Sequence, residues 1–447
     1  MKKLLTIILP FVCISLAAQQ KLSLPQLLDS AMHNNIAIRA AQYDIEVAGQ
    51  QRKEAFTKYF PNVTASGVWF NANRGMAKME MNPTELIPAD LQSTLALMLP
   101  SQMLASLANP ISMEMMKDGT IAAIMAMQPV FAGGQIVNGN RLARVGEDVS
   151  RLKLQLSENE VTKTMEQYFW QMASLQEKMR TVNSAEALIA DIAKDVEVAV
   201  KAGVAMRNDL LQVQLRQNEI ASQKLKLQNG ITLMRLLMSQ FAGLKCGDNF
   251  DIIVPDINAE DVPLPSPMDE NGVARTPEYQ LMQKQVEAAS LQKKIAVGKN
   301  LPSVAVGAGY TYHNLLDNDR DFGMILATVS VPITDWWGGS HAIKRRKIEL
   351  RKAEEQLEDN AQKLHIRVQS AWNSVIESYQ QLLLAQSGIE QASENMRLNR
   401  DFYAAGTSRM ADLLEAQMLY QQACDRRTDA YAEYRNKLLA YRQSVGM

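Results

Sequence analysis

The sequence lacks an excess of charge of either sign, and it is poor in cysteine. Its 447 residues contain 47 Lys and Arg against 48 Asp and Glu, and only three cysteines. This balance provides no basic stripe of the kind that binds nucleic acid, so we expect no nucleic-acid partner. Two of the cysteines, Cys246 and Cys424, would lie at heights roughly 35 Å apart by helix rise, which argues against a disulfide between them.

The patterns that usually carry catalysis or hold a cofactor are also missing. The chain contains no nucleophile elbow, no P-loop and no dinucleotide-binding fingerprint. Its four histidines, His33, His313, His341 and His365, show no zinc-ligand spacing. We therefore expect no enzyme, no cofactor and no bound metal.

Long apolar runs are absent beyond the N-terminus. No later stretch has 18 apolar residues in a row, so the sequence predicts no transmembrane helix there. Residues 1–18, in contrast, begin with Lys2 and Lys3, continue with an apolar run and end on Ala17 and Ala18. This is the pattern of a secretory signal peptide. A secreted chain of this kind is either soluble or held in an outer membrane by β-strands.

The most informative stretch of the sequence occurs twice. Residues 202–214 read AGVAMRNDLLQVQ, and residues 405–417 read AGTSRMADLLEAQ. A glycine can take positive φ and end a helix, and an aspartate in the first turn of the next helix interacts favourably with the helix dipole. Each copy therefore predicts the tip of an antiparallel helical hairpin. Two copies predict a duplicated architecture.

The remaining patterns follow the same duplication. The sequence predicts a first repeat at 19–245, a proline-rich linker at 246–267 and a second repeat at 268–447, each with helix, strand, strand, helix, helix. In the first repeat the predicted helices cover 25–58, 135–201 and 208–241, and the strands cover 62–73 and 120–128. In the second repeat the helices cover 269–299, 341–403 and 410–443, and the strands cover 303–312 and 322–331. Gly133-Gly134 and Gly338-Gly339 mark a break before each long helix.

The helix lengths predict an elongated arrangement. Each long helix has about 65 residues and would measure about 100 Å, and its apolar residues recur every three and four positions, as in a coiled-coil seam. The two shorter helices of each repeat together have nearly the same length, so they would stack end to end beside the long one. The sequence therefore predicts a rod of coiled helices and not a globule.

The four predicted strands have the length that crosses a bilayer when tilted. On the first strand Val63 and Ala65 alternate with Thr64 and Ser66, which is the apolar-out, polar-in pattern of a water-filled barrel. Four strands cannot close a barrel, and an open sheet edge is not tolerated in lipid, so several copies would combine their strands. A small soluble sheet with core aromatics is the alternative interpretation.

With its doubled tip and this order of elements, the chain resembles the TolC-type outer-membrane efflux family over nearly its whole mature length. The resemblance implies a mostly α fold with a membrane β-barrel portion, in which a homotrimer forms one twelve-stranded barrel and a long α-helical periplasmic barrel. It implies an exit duct in the outer membrane of a Gram-negative bacterium, with its helical part in the periplasm. The implied partners are a periplasmic adaptor (membrane fusion protein), an inner-membrane pump and outer-membrane lipid, and the implied cargo is small molecules.

The resemblance also assigns roles to residues at the two tips. The turn residues that would meet the adaptor are Gly203, Val204, Gly406 and Thr407. The residues that match the periplasmic gate of the family are Asp209, Tyr403, Asp412 and Glu415, with Tyr403 linked to Asp209 and the other two forming acidic rings.

Two questions about this gate stay open in the sequence. A second link of the family uses an arginine where this chain has Ser408, followed by Arg409. Three copies of Asp412 and Glu415 around a bore would attract cations, whereas the same acids could serve only as charges at a helix N-terminus.

The segment from Arg74 to Gly119 is much longer than its counterpart at 313–321, and it contains eight methionines. Thioethers suit Cu(I) or Ag(I), which would make the chain a metal-efflux duct, but methionine is also a flexible apolar filler. Its position between two strands, away from the helices, predicts an extracellular loop. Two further alternatives are type I protein secretion and a non-channel trimeric coiled-coil surface protein.

Overall fold

The computed structural model describes residues 20–88, 109–244, 250–254, 272–315, 318–333 and 335–447, together with positions 91, 98–100, 102, 103 and 105. The predicted signal peptide, Cys246 and most of the proline-rich linker lie outside the described residues. The chain divides into two compact units. The first contains the chain up to Gly49, Val145–Glu287 and Arg351–Met447, and the second contains Gln50–Arg144 and Ala288–Leu350.

The helices and strands occur in a similar order in the two halves. The first half contains β1 (Gln20–Leu22), α1 (Leu24–Asn34), α2 (Ile36–Thr57), β2 (Asn62–Asn71), β3 (Ala77–Met81), β4 (Ile111–Met115), β5 (Asp118–Ala132), α3 (Gln135–Lys201) and α4 (Arg207–Ala242). The second half contains β6 (Phe250–Ile252), α5 (Pro277–Lys299), β7 (Ser303–Leu315), β8 (Asn318–Ser330), α6 (Asp335–Ala404) and α7 (Met410–Ser444). Short 3₁₀ helices cover Pro83–Leu86 and Gly272–Arg275. Among the helices described, none is both long and apolar enough to cross a bilayer.

The second unit is built on an antiparallel sheet with the strand order β2-β5-β7-β8. The register aligns Val63 with Ala126, Ala308 and Ile325 across all four strands, so one face of the sheet is apolar along its whole width. In the described part of the chain this face is exposed on both edge strands, where Val63 is 63% and Ile325 is 90% exposed. β2 and β8 are the edges of the sheet.

Two smaller pairings flank this sheet in the sequence. β1 pairs in parallel with β6, so the predicted linker contains a short strand that pairs with residues 20–22. β3 and β4 pair antiparallel and place Ala77 opposite Met115 and Met81 opposite Ile111. This hairpin belongs to the methionine-rich segment, much of whose remainder lies outside the described residues.

The strand boundaries differ from those expected. The strand predicted at 120–128 runs from Asp118 to Ala132, because Pro129 sits at a register shift against β7. At a bulge the strand does not need a backbone N–H donor from every residue, so a proline there does not end the strand. The strand predicted at 62–73 ends at Asn71, and those predicted at 303–312 and 322–331 are Ser303–Leu315 and Asn318–Ser330.

The helix predicted at 25–58 is wrong, because it is interrupted at Asn35. This residue is buried and extended (φ −64°, ψ 134°), its amide Nδ2 donates to the Phe241 carbonyl at 3.0 Å, and its Oδ1 accepts from the Ala37 N–H at 2.9 Å. Asn35 thus caps α2 and ties it to α4.

The glycine break predicted before the second long helix is also wrong. Gly338 and Gly339 lie inside α6, whereas Gly133 and Gly134 form a turn. A Cβ on Gly339 would collide with the Asn300 side chain, so this glycine serves a close approach and not a turn. The helix predicted at 269–299 begins only at Pro277, after the second 3₁₀ helix.

The first unit contains the larger hydrophobic cluster, in which Trp170 is fully buried between Phe169 and Tyr431. The guanidinium of Arg435 lies 4.6 Å from the centroid of the Trp170 ring. Burial raises the pKa of the nearby Glu166 carboxyl, and the positive charge of Arg435 acts in the opposite direction.

A second cluster in the same unit lies near the hairpin tips. It joins Val182, Ile189 and Val196, seven residues apart on α3, to Val213 and Ile220 of α4 and to Met410 and Leu413 of α7. The heptad spacing read from the sequence therefore forms part of the core that positions both tips.

Candidate functional site at the hairpin tips

The two tips have the same backbone geometry. Gly203 and Gly406 have φ of 74° and 72°, and each follows the last residues of a long helix. The N–H of the residue after each glycine donates back across the turn, from Val204 to the Ala199 carbonyl and from Thr407 to the Phe402 carbonyl, both at 2.9 Å. This is the Schellman arrangement, in which a left-handed glycine satisfies the free carbonyls of a helix end.

The tip aspartates perform the same local task in both hairpins. Asp209 accepts a hydrogen bond from the Met206 N–H at 3.2 Å, and Asp412 accepts one from the Arg409 N–H at 3.1 Å. Each carboxylate thus satisfies a free N–H at the start of the next helix and lies at the positive end of its dipole. The capping interpretation of these acids is therefore correct at the level of local structure, and it does not exclude a second role.

Tyr403 and Asp209, the predicted link, lie near each other at the tip. The pKa of the Tyr403 hydroxyl is raised, mainly by partial burial and further by the negative charges of Asp209 and Asp195. The Tyr403 ring packs against the cluster that contains Val213 and Leu413. In the described part of the chain the two residues make no direct hydrogen bond, so their interaction in this state is one of proximity and charge.

The other predicted gate residues are open to solvent. Asp412 and Glu415 are exposed, three residues apart on the first turns of α7. Ser408, which occupies the place of the arginine of the family, donates its hydroxyl to Asp412 at 3.2 Å, and the neighbouring Arg409 is exposed. Among the described residues no buried cation pairs with these acids, and their charge faces water.

The four turn residues predicted to meet an adaptor form two exposed patches. Val204 is 80% exposed, and Gly203, Gly406 and Thr407 are exposed as well. A Cβ built on either glycine would meet nothing within 4 Å. The turns thus offer open backbone and one apolar side chain to a partner.

A buried polar network connects the two hairpins beyond the tips. Arg216 of α4 is only 7% exposed, and its guanidinium donates to Oε1 of Gln417 and to Oε1 of Gln421 on α7, both at 3.1 Å. Its remaining arm contacts Glu219 at 2.9 Å, and the Gln421 amide donates to Gln223 at 2.8 Å. We call Arg216, Gln417 and Gln421 the arginine clasp.

The sequence contained a signal for the clasp that the spacing analysis missed. Arg216 lies between Val213 and Ile220 at intervals of three and four, so it occupies a seam position where an apolar residue is expected. A charge at such a position needs buried partners. Gln417 belongs to the repeated tip pattern, but the pattern alone does not indicate that its side chain binds a buried arginine.

Other candidate chemistry is not supported by the described residues. Over the described ranges, no group of three or more His, Cys, Asp and Glu side chains could hold a metal ion. Cys424 is a free, half-buried thiol, and burial raises its pKa.

Known proteins resemble this chain in sequence and in fold. The family model described as outer membrane efflux protein matches residues 273–447. A proteases secretion protein, PrtF of Dickeya chrysanthemi, is 26% identical over 145 residues, which cover 29% of this chain and 31% of that protein.

The similarity of fold extends over nearly the whole chain. The outer membrane protein VceC of Vibrio cholerae matches with a TM-score of 0.73 at 13% identity, covering 95% of this chain and 96% of that one. The CmeC outer membrane channel of Campylobacter jejuni matches with a TM-score of 0.74 at 14% identity, covering 95% and 85%. At these identities the likeness shows the fold alone. The expected fold class is confirmed, and the matched proteins are described as channels and outer-membrane proteins and not as enzymes.

Proposed function

We propose that this chain is a member of the outer membrane efflux protein family, of the TolC type, and that it is the exit duct of a tripartite efflux system. Three copies would form the duct in the outer membrane, with the helices in the periplasm. The duct would conduct small molecules passively, and an inner-membrane pump and a periplasmic adaptor would supply the energy and the connection.

The four-stranded sheet is the observation that carries this proposal. Its strands have 10, 15, 13 and 13 residues, which is enough to cross a bilayer at the usual tilt. One face is apolar along the row from Val63 to Ile325, and both of these edge-strand residues are exposed, as on a lipid-facing surface. The edges β2 and β8 cannot remain open in lipid, so pairing them between copies satisfies both strands at once.

The tips supply the gate of the proposed duct. Threefold symmetry would bring three copies of Asp412 and Glu415 around one opening, where like charges repel one another and attract cations. The exposed turns at Gly203 and Gly406 are the proposed contacts of the adaptor. The arginine clasp would hold the two hairpins of one copy together in the closed state.

Particle mass and ion conduction together test the proposal. We expect protein purified in detergent to have three times the protomer mass, to insert into planar bilayers and to give discrete, cation-selective conductance. A monomer that does not insert would refute the duct and favour the coiled-coil surface protein.

Protein export is a second candidate, and the PrtF relative favours it. Efflux and export would use the same duct with different pumps. The two differ in a cell that lacks its own duct. If the chain restores resistance to small toxic compounds, efflux is supported. If it restores only the appearance of a secreted protease in the medium, the second candidate replaces the first.

A further inference from the structure

The second unit carries a concentration of positive charge where the strands give way to helices. Four helix segments adjoin the strands in the sequence, at residues 50–58, 135–144, 288–299 and 335–350. Together these segments contain twelve Lys and Arg against three Asp and Glu. The whole chain, in contrast, has a net charge of −1. We call these four segments the basic collar.

We propose that the basic collar binds the anionic headgroups of phospholipids in the membrane leaflet on the helical side of the sheet. The inference rests on the proposed function, because it requires that the sheet spans a membrane. It adds a ligand class, the phosphate-bearing anionic lipid, and a place for it on the chain.

Exposed aromatic residues mark the level of the membrane interface next to the collar. Trp337, in the first turn of α6, is 85% exposed, and Phe56, near the end of α2, is exposed in edge contact with Tyr59 and Phe60. Tryptophan and tyrosine prefer this interface, because their rings are apolar at one end and polar at the other. Such residues would be poorly placed on the wall of a water-filled bore.

The cations share helix faces with these aromatics. On α6, Trp337, Lys344 and Ile348 lie seven and four residues apart, so they line one side of the helix, and all three are exposed. On α2, Arg52 lies one helical turn before Phe56. The same face that presents an aromatic ring to the interface therefore presents a cation about 6 to 10 Å farther along the helix. That offset matches the depth of the headgroup layer beyond the hydrocarbon core.

A cavity in the collar has the size and lining of a headgroup site. It lies between α5 and α6, has a volume of about 360 Å³, and is lined by Lys299, Asn300, Arg345 and Arg346. Arg346 is fixed by hydrogen bonds to Gln292 at 2.8 Å and Glu349 at 2.7 Å. The cavity therefore places a preorganised guanidinium and two further cations where a phosphate group could bind, with Glu349 paired to both arginines and the Asn300 amide donating to the Ala296 carbonyl at 2.8 Å.

The helix dipoles do not account for the collar. A dipole favours cations only within the last turn of a helix, which covers Lys299 and the region around Lys58. Lys344 and Lys347 lie well beyond the first turn of α6, and Arg141 and Arg144 lie near the start of α3, where the dipole offers no stabilisation. Attraction to an external anion explains all four segments together.

The test compares two variants of equal charge. The collar variant carries Lys294→Gln, Lys344→Gln and Lys347→Gln, which are all exposed and leave Arg346 and its partners intact. The control variant carries Lys153→Gln, Lys194→Gln and Lys226→Gln on α3 and α4 in the first unit.

Each protein is reconstituted in phosphatidylcholine vesicles that contain either spin-labelled phosphatidylglycerol or spin-labelled phosphatidylcholine. The immobilised fraction of each label gives the relative lipid affinity. We expect the unaltered protein and the control variant to prefer phosphatidylglycerol several-fold at low salt, and the preference to weaken in molar salt. The collar variant should lose about fivefold of that preference, even if only one of the three lysines contributes fully.

Three results would overturn the inference. Equal affinity of the unaltered protein for both lipids would refute it while leaving the duct intact. A shift in the ion selectivity of the channel in the collar variant, without a change in lipid preference, would place the cations on the bore. Failure of every variant to insert into vesicles would refute the proposed function and this inference with it.

Discussion

Replacing the clasp arginine should loosen the contact between α4 and α7 without unfolding the rest of the chain. Arg216→Met keeps an unbranched apolar stem but removes both donors to Gln417 and Gln421. The two glutamines are 2% and 5% exposed, so their amide oxygens would remain buried without a donor. A buried acceptor that loses its donor costs the full desolvation of that group.

The size of the effect follows from two lost hydrogen bonds to a charged group. Each contributes about 1.5–3 kcal/mol, and relief from burying the guanidinium offsets part of that sum. A net loss of about 2–4 kcal/mol in local stability corresponds to a rise in local opening of roughly 30- to 1,000-fold. Because the clasp joins α4 to α7 near their N-terminal ends, the change should be confined to those two segments.

Amide hydrogen exchange measures this local opening directly. We expect faster exchange at 207–223 and 410–425 and unchanged exchange around Trp170. Lys226→Met, an exposed cation on the same helix, is the matched control and should leave both segments protected. Adding Gln417→Leu to Arg216→Met should recover part of the protection, because it removes one unsatisfied acceptor. Unchanged exchange at both tip segments in Arg216→Met would refute the argument.

Three further predictions concern the gate, the core and the sheet. Asp412→Asn with Glu415→Gln keeps the helix cap but removes the charges, so cation selectivity in planar bilayers should fall; unaltered selectivity would mean that these acids only cap the helix. Glu166 has a raised pKa in the folded state, so it lowers stability as pH rises from the unfolded pKa through the folded one, and Glu166→Gln should raise thermal stability at neutral pH but not in acid. Ile325→Arg should reduce membrane insertion by about 2–4 kcal/mol, whereas Ser66→Arg on the opposite face should insert normally, and equal insertion of both would contradict the assigned lipid face.

The long helices and the tips could be predicted from the sequence, because their signals are local and repeated. An apolar spacing of 3.5 residues that continues over about 60 residues is compatible only with a long helix. A glycine followed by an acid six residues later marks both the end of one helix and the start of the next. The errors occurred where a contact distant in sequence decides the local structure. Asn35 interrupts a helical pattern because the Phe241 carbonyl, 206 residues away, accepts its amide. Pro129 continues a strand because β5 forms a bulge against β7 directly after it.

The candidate site divides in the same way. The positions of Gly203, Asp209 and their second-repeat equivalents follow from the pattern alone. The clasp could not be predicted from the sequence. The spacing of apolar residues does not indicate which face of α7 packs against α4, and the partners of Arg216 become apparent only once the two helices are packed. The collar could not be predicted for a related reason, because its charges are spread over four segments that come together only in the folded second unit.

The two hairpins are duplicated in backbone but not in the contacts between them. When the two tips are aligned with Gly203 on Gly406, Arg216 corresponds to Leu419. The second hairpin therefore has no arginine that could make the equivalent contact. Within one copy α4 and α7 are therefore joined by a polar contact, while Leu215 of α4 is left 63% exposed and Leu419 of α7 is partly exposed. These leucines are available to α4 and α7 of neighbouring copies in the proposed trimer. Apolar surfaces can slide past one another at little cost, whereas a hydrogen-bonded guanidinium must break specific contacts. We therefore expect the tips to open along the contacts between copies, with the two hairpins of each copy moving together for as long as the clasp holds.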